Sequence, residues 1–239
     1  MFWFGPRQGR NSLQVRLRLS GNPMTDRYVI AIDGPSGSGK STAARGVARR
    51  LGFRFLDSGA MYRALALKSA RAGIGAQDGT ALSALLDRTE IELDGERVLL
   101  DGEDVSREIR TPEITRLVSV VAAVPQVREG MVIKQRACYP GESFVAEGRD
   151  VGSVVFPDAA VKVFLTADPR ERAIRRAAET DRDVESVLAE QKERDARDEG
   201  REHSPLIQAP GAVVFDTTGH SIEEVIKRLE ELIRQATQR

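Results

Sequence analysis

The chain has one cysteine, Cys138, among 239 residues. That excludes an internal disulfide and a cysteine-cluster metal site, and it fits a reducing compartment. There is no surplus of either charge. The 36 basic and 36 acidic side chains cancel, so no global field draws the protein to nucleic acid or anionic lipid. Lysine is scarce, standing only at Lys40, Lys68, Lys134, Lys162, Lys192 and Lys227, and the other basic residues are arginines. An anion must therefore be held by local clusters, and arginine suits that task through its bidentate contacts. No apolar run is long enough to cross a bilayer. What is present is enough chain for one good core with small appended lobes.

Residues 1–23 differ from the rest: they contain four arginines and no acid, and a second methionine, Met24, follows them. They lack the continuous apolar stretch of a secretory signal. An Arg-rich, acid-free leader fits an organelle transit peptide. The plainer reading, taken here, is a disordered extension or an upstream start, with the folded domain beginning near Thr25.

Short apolar runs alternate with helical patterns after that point. "YVIAID" (28–33), "FRFLDSG" (53–59, breaking into a loop), "SFVAE" (143–147), "VKVFLT" (161–166) and "AVVFDT" (212–217) read as strands. Helices are expected over 39–51, over 60–73 and after the cap Asp168–Pro169. A last helix opens with the capping box Ser221–Glu224 and carries Ile222, Val225, Ile226, Leu229, Leu232 and Ile233 on one face. Such alternation implies a parallel α/β sheet. The segment 89–106 breaks the alternation with two β-like runs around Asp94–Gly95, a hairpin signal. Helical stretches at 112–123 and 126–138 follow it, so an inserted lobe beside the site is expected.

Gly34–Ser41 reads G-P-S-G-S-G-K-S, the pattern G-x-x-x-x-G-K-[ST] between a strand and a helix. In that context backbone amides at a helix N-terminus wrap phosphates. Gly34, Pro35, Ser36, Gly37, Ser38, Gly39, Lys40, Ser41 and Thr42 are the candidate ATP contacts. Lys40 should reach the β- and γ-oxygens and Ser41 should hold Mg²⁺. Guanine-reading GTPases use an Asn-Lys-x-Asp element, and the only asparagines here, Asn11 and Asn22, precede the loop. Small-molecule kinases and motor-like ATPases remain.

Three further clusters bear on what receives a phosphoryl group. Asp57, Ser58, Tyr62 and Arg63 gather at a strand end, where ligands bind in such sheets; Asp57 or Ser58 could equally cap the next helix. Arg149 and Asp150 stand between Gly148 and Gly152 at another strand end, where the plain alternative is a surface ion pair. In "KERDARDEGRE" (192–202) Arg194, Arg197, Asp198 and Arg201 share a helical face. A hydroxyl acceptor would need a carboxylate base, such as Asp150 or Asp57. A nucleotide monophosphate, with a second pKa of ~6, is already mostly dianionic and needs none. The surplus of arginine over candidate bases favours the nucleotide. A non-enzymatic ATP switch is the alternative from another class.

"IDGPSGSGKST", "LDSGAMYR", "EGRDVGSVVFPDA", "KVFLTA" and "KERDARDEGR" followed by "PL" together resemble the bacterial cytidylate kinases, from about Tyr28 to the last helix. The resemblance implies an α/β fold: a P-loop NTPase core with a central parallel five-stranded sheet flanked by helices. It adds an inserted monophosphate-binding lobe with a β-hairpin (about 57–140) and a short lid (about 168–182). The implied activity is Mg²⁺-dependent transfer of the ATP γ-phosphoryl group to CMP or dCMP, in a cytoplasmic monomer without nucleic-acid or membrane partners. Ser58, Arg63, Arg149 and Arg201 match positions that hold the acceptor, mainly its phosphate, with Tyr62 in the same cluster. Ser119, Arg128 and Asp150 match the base-reading positions. Arg194 and Asp198 match those near the ribose hydroxyls. Arg172, Arg175 and Arg176 are the lid arginines implied, and Lys40, Arg149, Arg172 and Arg175 would stabilise the charge of transfer.

Overall fold

The structure is a computed structural model describing residues 27–237. The leader 1–23, Met24 and the expected start near Thr25 lie outside the described residues.

Strand β1 (Val29–Asp33) leads through the glycine-rich loop into helix α1 (Lys40–Leu51). Next come β2 (Arg54–Asp57), α2 (Ser58–Arg71) and α3 (Gly79–Asp87). A small antiparallel sheet follows, β3 (Ile91–Asp94), β4 (Arg97–Leu100) and β5 (Glu103–Asp104), then a 3₁₀ turn at Glu108–Arg110. Helices α4 (Pro112–Val121) and α5 (Pro125–Ala137) close the insertion. The chain returns with β6 (Phe144–Gly148), a π-turn at Val151–Val155 and β7 (Val161–Thr166). It ends with α6 (Pro169–Thr180), α7 (Val184–Glu199), β8 (Val213–Asp216) and α8 (Ile222–Thr237).

The five long-range strands form one parallel sheet in the order β2-β6-β1-β7-β8. Alternation along β1 splits the core. Ile30 and Ile32 pack with Ala43, Val47, Val225, Leu229 and Ile233 of α1 and α8. Ala31 faces the opposite cluster, built from α2, α3, α4 and α5. Both faces of the sheet are thus covered, as a parallel sheet requires.

Most expected elements stand within one or two residues, and the departures have local causes. No loop follows β2, because Asp57 is the N-cap of α2: its Oδ1 accepts from Ala60 N–H at 2.7 Å. The hairpin turn is Gly95–Glu96 rather than Asp94–Gly95, since Asp94 pairs with Arg97 and Gly95 takes φ +61°. Pro125 is the first residue of α5 instead of preceding it. The capping box of α8 forms in both directions, with Ser221 N–H to Glu224 Oε2 at 2.8 Å and Glu224 N–H to Ser221 Oγ at 3.3 Å. Ile222, however, lies before the packed stripe and is 42 % exposed.

Candidate active site

Parallel strands bring their carboxyl ends to one edge, and β1 and β6 are in register at Asp33 and Gly148. The glycine-rich loop and the Gly148–Gly152 loop therefore spring from adjacent points. Close approach dictates the glycines. A Cβ on Gly34 would fall 2.0 Å from Leu165 O. One on Gly148 would meet Ser58 Oγ at 2.4 Å and Val151 Cγ2 at 2.7 Å, and one on Gly152 would come within 3.3 Å of Lys162 and Ala31.

Lys40 is buried and donates to Pro35 O at 3.1 Å. Burial, reinforced by the positive field of Arg149, pulls its pKa down to about 7. Ser41 donates to Glu147 Oε1 at 2.7 Å. The Glu147 carboxyl is pushed up by burial and then by Asp57. Thr42 is exposed on α1.

The predicted acceptor residues meet around this edge. Ser58 donates to Glu147 O at 2.7 Å. Asp57 opposes its burial with Arg63, whose Nη2 lies 3.3 Å away, with the Ala60 N–H and with Arg110 at 3.7 Å, so its carboxyl is held below the usual range. Arg149 Nε donates to Asp198 Oδ2 at 2.8 Å, and Arg201 pairs with the other oxygen of the same carboxylate. Those two arginines overcome the burial of Asp198 and keep its carboxyl low. Burial, with Arg149 beside it, brings Arg194 down to about 10. Asp150 pairs with Arg128, and both are buried. Arg128 also donates to Ala122 O at 2.9 Å and stacks over Tyr62 at 5.5 Å.

Not every expected residue joins them. Ser119 is buried on α4, but among the described residues no hydrogen bond ties it to Arg128 or Asp150. Arg197 turns outward to Glu193, and Asp195 turns inward instead, so the buried helix face is rotated from the one that the charge spacing suggests. Arg201 lies past the end of α7. Arg172 reaches the glycine-rich loop, donating to Ser36 O at 2.8 Å and Asp195 Oδ2 at 2.5 Å, while Ser36 N–H donates to Asp195 Oδ1 at 3.2 Å. Arg175 donates to Thr217 Oγ1 at 3.0 Å, and that hydroxyl lies 3.3 Å from Ser38 O. Arg176 is exposed and paired with Glu179.

The sequence reading omitted Asp33, Glu147 and Asp195. An acid at or next to the carboxyl end of a largely buried strand was the signal for the first two. Among the described residues, the buried Nε–H groups of Arg63, Arg128, Arg172, Arg194 and Arg201 have no hydrogen-bond partner. Each such group is costly to leave unmet, and together they form a set of donors suited to anionic ligands.

The cytidylate kinase family model matches residues 30–235. A cytidylate kinase of Caldanaerobacter subterraneus subsp. tengcongensis is 51 % identical, over 87 % of this chain and 95 % of its own length. Those of Symbiobacterium thermophilum (47 %, covering 88 % and 96 %) and Mycobacterium leprae (48 %, covering 89 % and 97 %) are similarly close. The phosphate loop, the 148–152 loop and the arginine cluster thus stand in a chain that belongs to the cytidylate kinase family, a family of phosphotransferases that use ATP on a nucleoside monophosphate.

Proposed function

We propose that the protein transfers the ATP γ-phosphoryl group to CMP and dCMP, giving CDP and dCDP, with Mg²⁺. The observation that carries this reading is the division at residues 149–150. Arg149 lies among Lys40, Arg194 and Asp198, while Asp150, the next residue, faces Arg128 and Tyr62. One loop thus serves the reacting phosphates with one residue and the acceptor base with the other.

The donor phosphates lie on the amides of 34–41 and on Lys40. Ser58, Arg63, Arg149 and Arg201 hold the acceptor phosphate, and Arg194 and Asp198 lie at the ribose. Arg172 and Arg175 approach the donor loop from α6, the helix that forms most of the proposed lid, 168–182. Ser41 and Glu147 offer only hard oxygen donors, which fit Mg²⁺. Among the described residues no three His, Cys, Asp or Glu side chains form a metal cage, consistent with an ion held largely by nucleotide phosphates. Ser41, with Glu147 behind it, would hold the ion, which supplies charge neutralisation between the phosphates. No base is required of the protein. Asp33, Asp57, Glu147 and Asp150 are each already engaged by backbone amides, arginine or Ser41, which counts against a kinase of a hydroxyl acceptor. ADP release measured with CMP, dCMP, UMP, AMP and shikimate tests the reading. CMP and dCMP should dominate, and a rate no higher than with ATP alone for both would refute it.

Phosphate oxygens around Lys40 favour its ammonium form and so raise its pKa from about 7. Nucleotide binding near pH 8 should therefore take up close to one proton. Titration calorimetry of ATP binding in buffers of different ionisation enthalpy measures this uptake. An apparent enthalpy independent of buffer would contradict it.

A further inference from the structure

Asp33 ends β1 one residue before the phosphate loop, and the phosphate-transfer reading makes no use of it. Its side chain is 2 % exposed. Oδ1 accepts from Val151 N–H at 2.8 Å and Oδ2 from Gly152 N–H at 2.7 Å. These amides open the π-turn directly after Arg149 and Asp150. On the other side of that pair, Gly148 is fixed beside Asp33 by the β1–β6 ladder. Residues 149–150 are thus an arch pinned at both ends, with Asp33 at the centre of its base. Each arch residue then reaches a different partner, Asp198 or Arg128.

We propose that Asp33 is a positioning residue for the acceptor site, clamping the 149–150 arch so that Arg149 and Asp150 keep their placement toward acceptor phosphate and base. The proposal rests on the nucleotide-acceptor reading given above. A carboxylate suits the task because it accepts at both oxygens, whereas an amide would aim a donor at one of the two backbone N–H groups. Bonds of this charge-assisted kind are stronger than neutral ones. Burial pushes the carboxyl up to about 6 even with both amides bound, so the fold retains an acid here at a cost.

Asp33→Asn in the full chain tests the clamp. The KM for CMP should rise about tenfold, as expected on losing a hydrogen bond to a charged group. The ratio of UMP to CMP kcat/KM should rise several-fold, and the KM for ATP should stay within about twofold. Unchanged CMP KM and UMP ratio, even with a lowered Tm, would show a merely structural residue and overturn the proposal. Equal losses toward ATP and CMP would also overturn it, placing the effect in the phosphate loop. Amide hydrogen exchange supplies a readout independent of turnover. Val151 and Gly152 N–H should be as protected in the wild type as the amides of β6, and the proposal falls if they exchange freely. This measurement decides alone should the variant not fold. A wild type inert toward CMP would count against the nucleotide reading, leaving the exchange result to judge the clamp.

Discussion

Lys40→Met should lower kcat by about 10²–10³-fold or more while leaving the fold at least as stable as before. The first half follows from the role proposed above for Lys40, at the β- and γ-phosphate oxygens. A preorganised charge aimed at the transferring group, in a site shielded from water, acts on the transition state directly. The second half follows from burial. Folding pulls the Lys40 pKa from 10.5 to about 7, so the charged form is disfavoured in the native state. Between those values the unfolded chain binds the extra proton, and wild-type stability rises with pH. Met removes that penalty. Its advantage should be largest at pH 7 and below, and it should shrink as pH climbs toward 10.5. Turnover and thermal melts on the same preparation measure both halves. Near-normal kcat in a folded variant would contradict the assignment.

Asp198→Ala should produce the largest stability loss at the site. One carboxylate, 2 % exposed, binds Arg149 and Arg201 and lies in the field of Arg194. Removing it leaves guanidinium groups facing one another without a counter-charge, and breaking a buried pair in this way costs about 3–5 kcal/mol. For a domain of this size the fall in Tm is roughly 6–20 °C. In the wild type this stability is present above the ordinary aspartate range and is lost as pH falls through the lowered folded value. Inorganic phosphate can replace the missing negative charge. It should therefore raise the Tm of the variant by more than it raises that of the wild type. A Tm unchanged by the substitution would show that the three arginines do not depend on Asp198.

Local chemistry made much of this legible. The phosphate loop is written in consecutive residues, and so are the caps at Asp168 and Ser221 and the glycines flanking Arg149–Asp150. Their geometry depends on neighbours within a few positions. Helix α3 escaped notice because nine residues with Leu82, Leu85 and Leu86 are too short to display a period. The π-turn at Val151–Val155 escaped because it is capped from β1, far away in sequence. The same reason hid Asp33 and Glu147: their roles arise only when parallel strands align their ends. Charge spacing on α7 identified Arg194 and Asp198 but set Arg197 inward in place of Asp195. A repeat of three or four leaves the rotation of a helix open, and packing against Arg172 and Ser36 decides it. Arg176, equivalent by spacing to its neighbours, points away for the same reason.

In the function proposed above, residues 149–150 recognise the acceptor, with Asp150 reading cytosine. A carboxylate accepts from the exocyclic amino group of cytosine, and Arg128 can serve the ring acceptors. Uracil sets a carbonyl oxygen against the same carboxylate, costing on the order of 1–3 kcal/mol in a partly desolvated site. The most direct measurement is kcat/KM for CMP and UMP in wild type and Asp150→Asn. The asparagine carbonyl can still accept from Arg128, so the fold should persist, while its amide can donate to uracil. CMP should lose about ten- to a hundredfold and the ratio of UMP to CMP should rise. A general base at this position would instead give near-complete loss with every acceptor and an unchanged ratio, and that result would contradict the account.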